Sequence, residues 1–164
     1  MNGHPDDKLT AAQCLASVNL TTSDIIHELL KNYFEAKHDT TREPLIFSLA
    51  KLSQGTNLVH SLTGEYLNSA DANERIIACK LFPLLKSQPN RDITQKLIHL
   101  MWEDLTSSVR RAAGQALGKC GCGQAVHEEL VIRLQSQYWQ DRVEALKLIS
   151  YLGSFYFLRL SRMI

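Results

Sequence analysis

One pattern recurs five times along this sequence: a basic residue is followed by apolar residues three, seven and ten positions later. The basic residues are Lys8, Arg42, Arg75, Arg110 and Arg142, so successive copies lie 34, 33, 35 and 32 residues apart. Their apolar followers are Ala11, Leu45, Ala78, Ala113 and Ala145 at three residues, Leu15, Leu49, Phe82, Leu117 and Ile149 at seven, and Val18, Leu52, Leu85, Cys120 and Leu152 at ten. Repetition with this period is typical of stacked arrays, in which each unit buries its apolar face against its neighbours. The sequence therefore predicts a repeat array.

The clearest copy lies between Ser107 and Gly121 and has the spacing of an amphipathic helix. Its apolar residues recur at steps of three and four, and polar residues fall on the opposite side. We expect Ser107 to cap the start of this helix and Gly121 to cap its end. Each copy of the pattern thus predicts one helix, which we call the second helix of its repeat.

Another apolar stripe with helical spacing precedes each of the last four second helices and predicts a first helix. The stripes are Ile25, Ile26, Leu29, Leu30, Tyr33 and Phe34; Leu58, Val59, Leu62, Tyr66 and Leu67; Ile93, Leu97, Leu100 and Met101; and Val126, Leu130, Val131 and Leu134. Turn-forming residues fall between the stripes, at 38–41, 54–57, 68–73, 87–90, 104–108, 121–123 and 136–140. The repeats are therefore predicted to be helical hairpins.

The fourth second helix resembles the HEAT-repeat family in its short, HEAT-like form. In that form an Asp and a short polar turn precede Val-Arg, alanines and Leu-Gly-x-x-Gly. The matching residues are Asp104, Val109, Arg110, Ala112, Ala113, Ala116, Leu117, Gly118 and Gly121. The resemblance implies an all-α, right-handed solenoid of about four to five stacked antiparallel hairpins. We place a lone second helix at 6–19, full repeats at 22–53, 55–86, 90–121 and 123–153, and an apolar C-terminal segment at 154–164.

The resemblance also implies a structural role for the repeated basic residue. In the family this Arg typically hydrogen-bonds within and between neighbouring turns, and here Asp39, Asp71 and Asp104 precede three of the arginines. One second helix departs from the pattern, because Pro83 removes a backbone donor and crowds the preceding turn. We expect a kink or a bulge at Pro83.

Composition narrows the class of protein. A chain that is 45% apolar and 21% charged has the balance of a soluble globular domain, and its net charge of +1 gives no overall field that attracts nucleic acid. No apolar run reaches the length of a membrane span, and the N-terminal residues lack the layout of a secretory signal. We expect a cytoplasmic protein, with a nuclear location left open. Its four cysteines should be reduced, with Cys14 and Cys120 acting as small apolar residues.

Two sets of residues suggest metal chemistry. His27-Glu28 and His127-Glu128 resemble the His-Glu pairs of HEAT-like hydroxylases, but the family's pairs follow the repeated Arg on second helices, whereas these pairs lie on first helices. Cys120, Cys122 and His127 form a partial zinc set that lacks a fourth ligand. We interpret both sets as structural or surface residues, and expect no catalytic residue, metal or cofactor. A metal-dependent hydroxylase remains a weak alternative.

The strongest functional signal is the exposed line predicted on the second helices, at positions one, five and nine after the basic residue. We call these positions the second-helix face; they are Glu43, Phe47 and Lys51; Ile76, Lys80 and Leu84; Arg111, Gln115 and Lys119; and Val143, Lys147 and Tyr151. Apolar residues interleaved with lysines are typical of a protein-binding surface. We therefore expect a non-enzymatic scaffold that binds a partner protein or peptide. A module that binds nucleic-acid backbone is the alternative from another class.

The last eleven residues are unusually apolar. Residues 154–164 contain Phe155, Tyr156, Phe157, Leu158, Leu160, Met163 and Ile164, whereas a terminal repeat needs a polar outer face. Too short and too charged to span a bilayer, this segment is expected to pack on the last hairpin and to support weak self-association.

Overall fold

The computed structural model describes residues 10–11, 13–16 and 22–152, except for the side chain of residue 128. Throughout these residues the regular secondary structure is helical, which confirms the predicted all-α class. The helices are α1 (Ser23–Glu35), α2 (Asp39–Leu52), α3 (Leu58–Tyr66), α4 (Ala72–Leu81) with a 3-10 turn (Phe82–Leu84), α5 (Arg91–Glu103), α6 (Ser107–Lys119), α7 (Gly123–Leu134) and α8 (Trp139–Leu152). Described residues between 10 and 16 are helical too.

The helices pack in two ways. Consecutive helices contact each other in the pairs α1–α2, α3–α4, α5–α6 and α7–α8, and each pair lies within one of the predicted repeat intervals. Helices two steps apart also pack, so that α1, α3 and α5 contact in series, as do α4, α6 and α8. The second of these series places the predicted second helices side by side.

The repeat alignment locates the core in the last four copies. Apart from Cys120, which is half-buried against the core, every apolar follower in these copies is buried. Leu49 and Leu117, at the seventh position, are fully inaccessible. Burying these side chains removes apolar surface from water, which is the main favourable contribution to folding.

The first copy departs from the alignment. Leu15, predicted to be buried, keeps 38% of its surface exposed, and Ala11 is also exposed, whereas Ala16 is buried. Ala16 lies eight residues after Lys8, and Ala50, at the same position of the second copy, is buried too. Cys14 is exposed as well, so its predicted place on an apolar stripe is wrong. Lys8, Val18 and the segment 154–164, with its predicted self-association, lie outside the described residues.

Pro83 lies in a tighter turn that ends its helix, where we expected a kink or a bulge. The α-helical part of α4 ends at Leu81 and the chain continues as a 3-10 turn, in which the Leu85 amide donates to the Phe82 carbonyl at 3.2 Å. A proline at this position has no amide hydrogen with which to continue the α-helical ladder. The tighter turn keeps Phe82 buried while Leu84 points outward.

Of the two capping predictions for α6, the one at its C-terminal end is confirmed and the one at its N-terminal end is wrong. Gly121 adopts φ 73°, and the Cys122 amide donates to the Leu117 carbonyl at 2.9 Å, which is the glycine-terminated helix end that we expected. Ser107 is not the cap. It is the first residue of the helix, Thr106 holds the capping position without a side-chain bond, and Asp104 Oδ1 instead accepts from the Thr106 amide at 2.8 Å.

Two glycines of α6 let α8 approach closely. A Cβ atom at Gly114 would lie 2.9 Å from Tyr151 Cβ, and one at Gly118 would overlap the backbone carbonyl of Leu152. Because only a residue without a side chain fits these contacts, the two glycines determine how closely the last two second helices stack.

Candidate functional site

Four arginines make the same intramolecular contact. Arg42, Arg75, Arg110 and Arg142 each donate to the carbonyl of the residue six positions earlier, at 2.7 Å in every case. Those acceptors lie within the turn that joins the first helix to the second. Each arginine therefore connects the two helices of its own hairpin, which confirms a structural role.

Two of these arginines also reach the following repeat. Arg75 donates to both carboxylate oxygens of Asp104, at 2.8 and 3.1 Å, and the two side chains are only 14% and 4% exposed. This hydrogen bonding raises the pKa of Arg75, so the guanidinium stays charged. Arg110 Nε lies 3.9 Å from Glu144 Oε1. The repeated arginines are thus occupied by the protein itself and do not form a ladder for an external anion.

The first helices stack through aromatic rings. Phe34 of α1 lies parallel to Tyr66 at the end of α3, with ring centroids 3.7 Å apart. At the corresponding place two repeats later, the guanidinium of Arg133 on α7 lies 4.0 Å from the ring centroid of Trp102 on α5. A cation over an indole ring is an attractive contact, so an Arg takes the place of the second ring.

Most of the second-helix face is open to solvent. Phe47, Leu84 and Val143 expose 68%, 46% and 38% of their surfaces. The polar members Lys80, Arg111, Gln115, Lys119 and Lys147 are exposed too, as is Glu43. Exposed apolar side chains therefore alternate with cations along neighbouring helices, as the sequence predicted.

Three members of the second-helix face are less open than we expected. Ile76 and Tyr151 are half-buried and pack against the core, and Lys51 is half-buried too. Tyr151 is held from two sides, because its Cβ lies against Gly114 and the Arg111 guanidinium lies 5.6 Å from its ring centroid. Ile76 and Tyr151 therefore stabilise the stack and present only one edge to a partner.

Three of the four lysines on the second-helix face form no ion pair with a described carboxylate. Within the described residues, no carboxylate forms an ion pair with Lys80, Lys119 or Lys147, whereas Arg42, Arg75 and Arg110 each have one such partner and Arg133 has two. The nearest carboxylate along the chain of α8, Glu144, is directed toward Arg110. The face on α4, α6 and α8 is consequently positive although the whole chain carries only +1.

The cysteines and histidines do not assemble into a metal site in the described part of the chain, where no three His, Cys, Asp or Glu residues come close enough to hold an ion. Burial raises the pKa of the Cys79 thiol to about 12, and it does the same for Cys120. His27 is exposed on α1 and His127 is half-buried on α7, while the side chain of Glu128 lies outside the described part.

Sequence reasoning missed one buried polar cluster. His60 on α3 is 1% exposed, its Nε2 lies 3.1 Å from the Ser87 carbonyl oxygen, and the Ser87 hydroxyl donates to the Ser53 carbonyl at 2.6 Å. Burial is the main cause that lowers the pKa of His60. The cluster joins the end of α2, the helix α3 and the segment before α5. The available signal was that Ser53 and Ser87 lie 34 residues apart, about one repeat period.

No model of a known protein family matches the chain. None of the helices in the described residues is both long enough and apolar enough to cross a membrane. The resemblance to HEAT-like repeats therefore rests on the residues named above, from Asp104 to Gly121 and their looser copies.

Proposed function

We propose that this chain is a HEAT-like α-solenoid that acts as a non-enzymatic scaffold and binds a partner protein or peptide on the second-helix face. The regular arginine contact supports the repeat assignment, since it recurs with the same geometry in four hairpins. The serial packing of α4, α6 and α8 supports it as well, because stacked hairpins bring equivalent helices together.

The observation that carries the proposal is the exposure of Phe47, Leu84 and Val143 on helices whose inward faces are already filled. Apolar side chains contribute to stability in proportion to the surface that they bury, so the exposed parts of these three contribute nothing to the isolated chain. In a complex they would supply apolar contact area, and the polar residues around them would form a solvated rim.

A selection from random peptides tests this function. Peptides of about 16 residues, displayed as a library, are selected on the full chain and then titrated against two double variants, Phe47→Ser/Leu84→Ser and the control Leu105→Ser/Ile132→Ser. Leu105 and Ile132 are also highly exposed, at 98% and 69%, but they lie outside the second-helix face. We expect the selected peptides to lose affinity for the first variant and to keep it for the control. Equal binding to both variants would place the binding surface elsewhere.

A further inference from the structure

The repeated arginines and the exposed cations of the second-helix face differ in their partners. The repeated arginines bind backbone carbonyls and carboxylates of their own chain, as Arg75 does with Asp104. Lys80, Lys119 and Lys147 are exposed, and no described carboxylate pairs with them. Guanidinium groups suit fixed bidentate contacts, whereas an ammonium group on a flexible stem suits a mobile counter-charge. These lysines, together with the exposed Arg111, are thus the cations of the second-helix face that are available to an incoming ligand.

Packing fixes the spacing of these lysines. Lys80 and Lys147 occupy the same position, five residues after the basic residue, on α4 and α8, and both of those helices pack against α6. Packed helices have axes about 8–10 Å apart, so these two lysines stand about 16–20 Å apart across the face. Gln115 holds the same position on α6, between them, and Lys119 lies one turn further along α6.

We propose that the partner is an acidic, partly apolar peptide in an extended conformation that crosses α4, α6 and α8 and sets its carboxylates against Lys80, Lys119 and Lys147. An extended chain advances about 3.3 Å per residue, so the carboxylates that face Lys80 and Lys147 are about five or six residues apart. Gln115 offers an amide that can both donate to and accept from the peptide backbone. Leu84 lies one turn after Lys80, and Val143 lies one turn before Lys147, so both contact apolar side chains of the peptide beside its acidic residues.

The surface favours a peptide over nucleic acid. A phosphate backbone is bound mainly by closely spaced cations, and each phosphate contact makes the affinity more dependent on salt. On this face the uncharged Gln115 separates Lys80 from Lys147, and the apolar side chains Leu84 and Val143 gain nothing from phosphate. The four repeated arginines are engaged by backbone carbonyls, and the Arg111 guanidinium lies 5.6 Å from the ring centroid of Tyr151.

This inference rests on the proposed function, and the peptide selection tests both with separate readouts. The enriched peptides are sequenced, and their net charge is compared with that of the unselected library. They are then titrated by fluorescence anisotropy against Lys80→Glu/Lys119→Glu/Lys147→Glu and against a control, Lys31→Glu/Lys37→Glu/Lys86→Glu. The control lysines are also exposed, lie outside the second-helix face, and give the same change in net charge. A fluorescent oligothymidylate of about 20 nucleotides is titrated in parallel.

We expect the enriched peptides to be acidic and to bind the control variant within about twofold of the wild-type affinity. They should bind the Lys80→Glu/Lys119→Glu/Lys147→Glu variant at least about tenfold more weakly, because close charge pairs are lost. Neutral or basic peptides that still require Phe47 and Leu84 would overturn the inference and leave the proposed function standing. Peptides that require neither the lysines nor Phe47 and Leu84 would overturn both. Tighter binding of the oligonucleotide than of any peptide would assign the face to nucleic acid instead.

Discussion

Gly118 is the residue at which a single added methyl group should have the largest effect on the stack. A Cβ atom there would overlap the Leu152 carbonyl, which belongs to the backbone of α8 and cannot move as a flexible side chain can. We expect Gly118→Ala to lower the free energy of unfolding by about 1–3 kcal/mol or more, the usual cost of overpacking.

Gly55 provides the matched control for this substitution. The nearest atom to a Cβ at Gly55 is the Leu52 carbonyl oxygen at 3.8 Å, an ordinary van der Waals contact. Gly55→Ala should therefore leave stability unchanged or raise it slightly, by at most about 1 kcal/mol, through the unfolded state. Urea titration measures both variants. Equal stability of the two variants would contradict the close approach of α6 and α8.

At the scale of the elements, the joint between the second and third full hairpins depends on Arg75. Its guanidinium binds both oxygens of Asp104 and the Ser69 carbonyl, an arrangement that a lysine cannot reproduce. We expect Arg75→Lys to lower the free energy of unfolding by about 2 kcal/mol. Hydrogen bonds to charged groups contribute about 1.5–3 kcal/mol each, and a lysine can still form some of those that Arg75 forms. Arg91→Lys, at the exposed first residue of α5, should cost less than about 0.5 kcal/mol. Similar costs at both positions, in urea titration, would refute this role of the ion pair.

The junction around His60 should make stability depend on pH. Burial lowers the pKa of His60 in the folded protein below the ordinary value of 6.5, which the unfolded chain keeps. As the pH falls below 6.5, the unfolded state binds a proton that the native state does not, so the free energy of unfolding decreases until the lowered folded pKa is reached.

His60→Asn removes this titration while keeping an amide donor near the Ser87 carbonyl. Urea titrations of both proteins at about pH 7.5 and about pH 5 should show a larger loss of stability for the wild type on acidification. The remaining histidines are common to both proteins and cancel in the comparison. An identical pH dependence would mean that His60 does not titrate differently on folding.

The sequence was sufficient to predict the helices and most of the core, because burial follows the local spacing of apolar residues such as Leu49 and Leu117. It was insufficient where the outcome depends on the rotation of one repeat against the next. Ile76 and Tyr151 have the same local spacing as exposed positions. Tyr151 is half-buried because α8 stacks against Gly114 of α6, which the local spacing does not show.

On the scale of the whole molecule, the chain divides its polar groups between two tasks. The arginines and the His60 cluster join neighbouring hairpins, and Lys80, Lys119 and Lys147 remain open to solvent. The exposure of Phe47 was predictable from its position, whereas the unpaired state of these three lysines depends on where Glu144 and Asp104 point in the folded chain. Stability and recognition can therefore be changed independently.

The measurement that tests this account most directly is an NMR titration of the isotopically labelled full chain with an acidic peptide obtained from the selection. We predict that the backbone amide signals that shift belong to the second-helix face, around Lys80, Gln115 and Lys147, in proportion to bound peptide. Signals from exposed parts of the first helices, such as Lys31 and His99, should stay in place. Shifts centred on the first helices would contradict the account, because the peptide would then be held on the opposite side of the hairpins.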